Sequence, residues 1–200
     1  MHYEIHVTVR TFDIEGFKRR CGEIGVKPIV LDLQTRSGSI EDVMTSSKFQ
    51  GDDDSVIDEL DLIVEGLQDA GFEVVRQKIE AAPWHPLAPQ DGTAIPLDGA
   101  YFEAHIPIFL TSPNDSSLDK LRVFPDLHLS RNKFKMYDNG SCVQMCTYRR
   151  HDIGRKTFEN HVEDYANGLL QLGFSLRRNP EIEFCLYDTN VQHDSAWLNS

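Results

Sequence analysis

The chain has 200 residues, 40% of them hydrophobic, 10% aromatic and 26% charged, with a formal net charge of −12. That composition excludes a disordered or fibrous chain and suffices for one sizeable core or two small ones. The acidic balance argues against a broad coat on nucleic acid, while a local basic pocket can still hold one phosphate.

No apolar run approaches the roughly 20 residues that a membrane span requires, and the first residues show a strand pattern rather than a basic-then-apolar leader. No membrane partner is expected, and the expected location is the cytoplasm. Cys21, Cys142, Cys146 and Cys185 lack CxxC spacing, so they read as reduced, mostly buried thiols rather than a disulfide framework or zinc site.

In chain order, Tyr3, Ile5, Val7 and Val9 alternate with Glu4, His6, Thr8 and Arg10, the period of a strand with one polar face. Asp13 caps a helix over residues 14–24, where Ile14, Phe17, Cys21 and Ile24 recur at helical spacing before Gly25 ends it. A second strand follows with Ile29, Leu31 and Leu33 on one side and Val30, Asp32 and Gln34 on the other. A turn at Arg36-Ser37-Gly38-Ser39 leads into a third strand over 40–48. Asp52-Asp53-Asp54-Ser55 reads as a helix N-terminus rather than a metal loop, because carboxylates there accept orphan N–H bonds and face the positive dipole end. The helix it opens carries Val56, Leu60, Ile63, Val64 and Leu67 on one stripe, stops at Gly71, and gives way to a fourth strand over 72–80.

Residues 83–99 contain Pro83, Pro86, Pro89 and Pro96, a composition that suits an extended connector. Beyond it the pattern returns. Gly66-Leu67 and Gly71-Phe72 match Gly168-Leu169 and Gly173-Phe174 at a constant offset of 102, as Thr45 matches Thr147, and the Glu4-x-His6 strand has its counterpart in Glu103-x-His105. The second copy shows a short first helix over 115–122, a full second helix over 154–172 and a last strand over 181–187. The insertion between copies is placed at 133–140. The expected fold is therefore α+β, a tandem duplication of a ferredoxin-like βαββαβ unit whose polar sheet faces form a shared cleft or barrel. Its expected divisions are a first repeat over 1–82, the connector, a second repeat over 100–190 and a tail over 191–200, which Trp197 anchors.

Alternation places Ile5, Val7, Val9, Leu31, Leu33, Val75 and Ile79 in the core. It places Glu4, His6, Thr8, Arg10, Asp32, Gln34, Arg76, Lys78 and Glu80 on the open face, with Glu103, His105, His128, Ser130, Glu181 and Glu183 from the second copy. Two such faces closed on each other enclose charges that must be paired, metal-bound or covered by a ligand. The ligand-contact set is accordingly Glu4, Arg10, Arg76, Lys78, Glu80, Glu103, His105, Glu181 and Glu183.

His6-Val7-Thr8-Val9 and His128-Leu129-Ser130-Arg131 resemble the paired H-x-T/S motifs of the two-histidine (2H) phosphoesterase superfamily. The resemblance implies His6 and His128 as an acid–base pair acting on a phosphoester without a cofactor, with Thr8 and Ser130 holding phosphate. The departure is that the repeat equivalent of His6 is His105, followed by Ile106-Pro107 instead of x-Thr. A different chemistry follows from the duplicated Glu-x-His, which offers Glu4, His6, Glu103 and His105 to a divalent metal. A third resembles the triphosphate tunnel enzymes, with Arg10, Arg76, Lys78 and Arg178 on phosphates and Glu80, Glu181 and Glu183 on a cation, although the N-terminal ExExK pattern is missing. The expected function is binding or hydrolysis of a phosphate-bearing small molecule, a nucleotide or an RNA end. The alternatives are a non-catalytic interaction or structural protein with wet sheet faces, and a metal-binding protein. Sequence is silent on oligomeric state.

Overall fold

The computed structural model describes residues 1–35, 38–93, 99–113 and 115–194. Its strands are β1 (His2–Arg10), β2 (Lys27–Thr35), β3 (Gly38–Gln50), β4 (Glu73–Ala81), β5 (Tyr101–Leu110), β6 (His128–Asn132), β7 (Cys142–Arg150), the two-residue β8 (Ser175–Leu176) and β9 (Glu181–Asp188). Three α-helices accompany them, α1 (Ile14–Glu23), α2 (Asp53–Asp69) and α3 (Arg155–Gln171), with short 3-10 helices at Ser116–Val123 and Val191–Asp194. Arg36 and Ser37 of the expected turn, connector residues 94–98 with Pro96, and the tail from 195 with Trp197 lie outside the described residues.

The strands run in the order β7-β6-β2-β3-β1-β4-β9-β5, and β5 pairs with β7 to close the ring; β8 adds two residues beside β5. This corrects the expected fold class. The protein is a closed eight-stranded antiparallel β-barrel with helices outside it, and not an α+β duplication of ferredoxin-like units. The strands that would be free edges of two separate sheets pair across the halves instead, β2 with β6 and β4 with β9. Closure removes the rows of unpaired N–H and C=O groups that open edges present. Alternation within a strand is identical in an open sheet and in a barrel wall, so the pattern alone did not separate them. The internal repetition survives as order: β2-β3-β1-β4 from the first half is matched by β6-β7-β5-β9 from the second. The matched Gly71 and Gly173 follow α2 and α3 with φ of 84° and 91°, the left-handed region that glycine enters without a Cβ clash.

Two apolar clusters lie between barrel and helices. Ile5, Val7, Val9 and Ile79 pack with Phe17 and Cys21 of α1 and with Val56, Leu60, Ile63 and Leu67 of α2; Phe102, Ala104, Ile106 and Ile108 pack with Phe158, Val162 and Leu169 of α3. Both expected caps form: Asp13 accepts from Gly16 N at 2.8 Å, and Asp52 and Ser55 make a reciprocal capping box.

Leu33 is buried as expected but on the lumen side, and two expected core positions, Leu31 and Val75, move. In β2 it is Val30 that packs outward, while Leu31 and Leu33 line the interior; in β4 a register shift opposite Thr8/Val9 turns Val74 rather than Val75 to the core. The connector docks through His85, which is 3% exposed and contacts Asp53 at 3.1 Å, whereas Trp84 is 72% exposed. No described helix is long and apolar enough to cross a membrane.

Candidate functional site: the barrel lumen

An eight-stranded barrel has an interior wide enough to hold one small ligand. Here it encloses a cavity of about 780 Å³ whose lining comes from all eight barrel strands. Alternation along β1, β4, β9 and β5 turns Glu4, His6 and Thr8, then Arg76, Lys78 and Glu80, then Glu181 and Glu183, then Glu103 and His105 into it. These neighbouring strands form a polar wall.

The polar wall is a continuous network. His6 Nε2 lies 3.1 Å from Glu80 Oε2, and Lys78 Nζ lies 2.6 Å from Glu80 Oε1 and donates to Glu103 Oε1 at 3.1 Å. His105 Nε2 stands 3.3 Å from Glu103 Oε1 and 3.4 Å from Glu183 Oε2, while Arg149 Nε donates to Glu103 Oε2 at 2.6 Å. One chain of contacts therefore joins the two repeat-related histidines. The repeat-related threonines serve them as well: Thr45 C=O accepts from His6 Nδ1 at 2.9 Å, and Thr147 Oγ1 lies 3.1 Å from His105 Nδ1.

A carbonyl and a carboxylate are both acceptors, so this setting favours the protonated form of His6, in which both ring nitrogens donate. Burial pushes its pKa down, but the Glu80 hydrogen bond and charge outweigh burial and raise it. His105 follows the same pattern: against the cost of burial, Glu103 and Glu183 push it up to about 10. Burial opposes charge on Lys78 too, yet Glu103 and Glu80 hold it well above the usual lysine value. Burial raises Glu80, and Lys78 and His6 bring it down to about 2; Arg149 and Lys78 likewise overcome burial to hold Glu103 well below the carboxylate range. Glu183 is the exception, raised by burial and by the neighbouring Glu80 charge. Four acids (Glu4, Glu80, Glu103, Glu183) thus face four cations (His6, Lys78, His105, Arg149), and the network compensates itself.

The two ends of the lumen differ. At one, Arg76 grips Asp188 through both carboxylate oxygens at 2.9 and 2.6 Å, Tyr101 OH donates to Asp188 at 2.8 Å, and His193 of the last 3-10 helix lies 2.9 Å from Asp42. The other is a cationic mouth. Lys27, Lys48, Lys135 and Arg177 line it with no ion-pair partner among the described residues, beside the Arg178–Glu181 pair. Burial and then the Lys27 and Arg178 charges depress Lys135, which shows how close these cations stand. Arg177 Nε donates to Tyr137 OH at 3.3 Å on the same rim.

The wall opposite the network is different again. Ile29, Leu31 and Leu33 of β2, Met44 of β3 and Val143 and Met145 of β7 face the cavity around Ser130 and Asn132 of β6.

Of the residues expected on the functional face, Glu4, His6, Thr8, Arg76, Lys78, Glu80, Glu103, His105, Ser130, Glu181 and Glu183 do line the lumen. Arg10 is outside it, exposed and paired with Glu73 at 2.6 Å; Asp32 is turned to the outer face and pairs with Arg131 at 2.9 Å. Gln34 does not line the cavity either. His128 sits opposite Thr147 on β6, three strands round the barrel from β1. Among the described residues no group of three or more His, Cys, Asp and Glu side chains is arranged to hold a metal ion.

Pattern reading missed the mouth. Lys27 shares its face with Ile29 and Leu31, which alternation assigns to the core, and Lys135, Tyr137 and Arg177 lie outside the barrel strands, where no periodicity marks them. The basic run Arg149-Arg150 was the one available sign of Arg149. Compared with known proteins, the chain matches no family model and no curated sequence.

Proposed function

We propose that the barrel binds a phosphate-bearing small molecule, with its phosphate held at the cationic mouth. The observation that carries this reading is a charge excess in one place. The lumen presents eight Lys and Arg side chains against six Asp and Glu, within a chain of net charge −12. Of those cations, Lys27, Lys48, Lys135 and Arg177 have no ion-pair partner among the described residues, and all four lie at the mouth. Unmatched cations gathered around a concave opening attract and hold a multiply charged oxyanion.

Binding is the better supported activity because His6 is held between two acceptors, Thr45 C=O and Glu80, a setting that favours its protonated form and so works against a general-base role. The free thiols Cys21, Cys142, Cys146 and Cys185, all buried, suit action in a reducing compartment such as the cytoplasm.

Calorimetric titration with glycerol phosphate tests the reading. Saturable binding that weakens steeply with salt is expected, and the Lys27→Gln/Lys135→Gln double variant should bind at least about tenfold more weakly, the equivalent of one good charge-assisted contact. Its thermal midpoint should match the parent, because neither lysine is part of the buried network. Absence of binding at concentrations far above physiological would overturn the proposal.

A further inference from the structure

The apolar wall is the part of the lumen that phosphate binding leaves unused. Ile29, Leu31, Met44, Val143 and Met145 face the cavity and are only half buried, although each stands on a strand whose neighbouring positions pack under helices or pair with the next strand. Ile29 and Met44 are direct cross-strand partners on β2 and β3, and Met145 of β7 faces Ser130, so two apolar strips flank the small polar side chains Ser130 and Asn132 of β6. Apolar surface left facing water inside a concave chamber is unfavourable unless something covers it. The two methionines suit a variable occupant, being unbranched and able to repack. An inorganic oxyanion, or a polar ester such as glycerol phosphate, gains nothing from such a surface.

We propose that the ligand is amphipathic: an organic phosphate whose non-phosphate part is an apolar chain or ring lying on the Ile29, Leu31, Met44 and Met145 surface, with its phosphate at the mouth. This rests on the phosphate reading above and names the class of molecule within it. Lys27 opens the strand that carries Ile29 and Leu31, so headgroup and body are read by one continuous strip of β2. The polar wall then faces the other side of the ligand without being asked to neutralise it.

A homologous series decides the matter: inorganic phosphate, glycerol phosphate, methyl phosphate, butyl phosphate, hexyl phosphate and phenyl phosphate, titrated into the intact protein. Affinity should rise about threefold to fourfold for each methylene that reaches the wall. Comparing hexyl with phenyl phosphate tells chain from ring. Met145→Gln and Ile29→Gln should erase most of the gain for hexyl phosphate while leaving glycerol phosphate affinity unchanged, and Met145→Leu should preserve it. Circular dichroism on each variant separates lost binding from lost folding, and Met145→Leu keeps the test open if a glutamine variant fails to fold. Equal affinity for glycerol, butyl and hexyl phosphates would overturn the amphipathic ligand and leave the phosphate reading standing. Binding of none of them would overturn both.

Discussion

The two walls of the barrel are built by the same rule and to opposite ends. On β1, β4, β9 and β5, joined by Arg149 of β7, alternation delivers charged side chains that bond one another, whereas on β2 and the first half of β7 it delivers Ile29, Leu31, Val143 and Met145, which meet open cavity. Each half of the chain contributes two strands to the polar wall, so the division cuts across the halves instead of following them. A charge network closed on itself is a structural element, expensive to disturb and of little use to a ligand. The other wall and the mouth are the reverse: apolar surface that is costly until a ligand covers it, and solvated cations that are free to meet an anion.

The strongest way to break this contrast is Lys78→Met, which leaves Glu80 and Glu103 short of a buried cation. It should cost about 3–5 kcal/mol by urea unfolding, the usual penalty for removing one member of a buried ion pair; a loss below about 1 kcal/mol would mean the polar wall is not structural.

Next comes pH. His105 is raised in the folded state, so its contribution is complete below the ordinary imidazole pKa and disappears as pH climbs through about 10. Glu80 is depressed, so its contribution is complete above the ordinary carboxylate pKa and disappears as pH falls through about 2. Stability should therefore peak between the two ordinary values, and His105→Gln should remove about 2 kcal/mol near neutrality, the worth of hydrogen bonds to a charged group, and flatten the alkaline limb in denaturation series.

On the apolar wall Leu31→Asn should change stability by less than about 1 kcal/mol, against about 2–5 kcal/mol for Ile5→Ala on the outer face, because only Ile5 is fully packed. Smallest of all, Arg10→Ala removes an exposed pair with Glu73 and should leave both unfolding and phosphate titration unchanged.

Much of the polar wall was legible in the chain, because Glu4-x-His6, Arg76-x-Lys78-x-Glu80 and Glu103-x-His105 alternate cleanly and strand geometry then assigns their face. The helix ends at Gly71 and Gly173 were legible too, both glycines lying at positive φ after α2 and α3. Three things were not. Closure depends on β2 meeting β6 and β4 meeting β9, contacts between distant segments that leave no mark in local periodicity. Leu31 was assigned to the core because apolar residues usually pack, and a ligand chamber, where it is only half buried, is where that rule fails. The register shifts at Thr8/Val9 and Ile79/Glu80 change which residue faces inward partway along a strand, as Val74 and Asp188 show.

The division between a self-compensated wall and an uncompensated mouth is tested most directly by the imidazole ¹⁵N and ¹H resonances of His6 and His105, followed from acid to alkaline pH with and without hexyl phosphate. His6 should titrate above the ordinary imidazole value, His105 only near 10, and neither should change protonation state when the ligand binds. Ordinary imidazole titration of either ring, or a change of its protonation on binding, would contradict the account and move the functional centre from the mouth to the histidines.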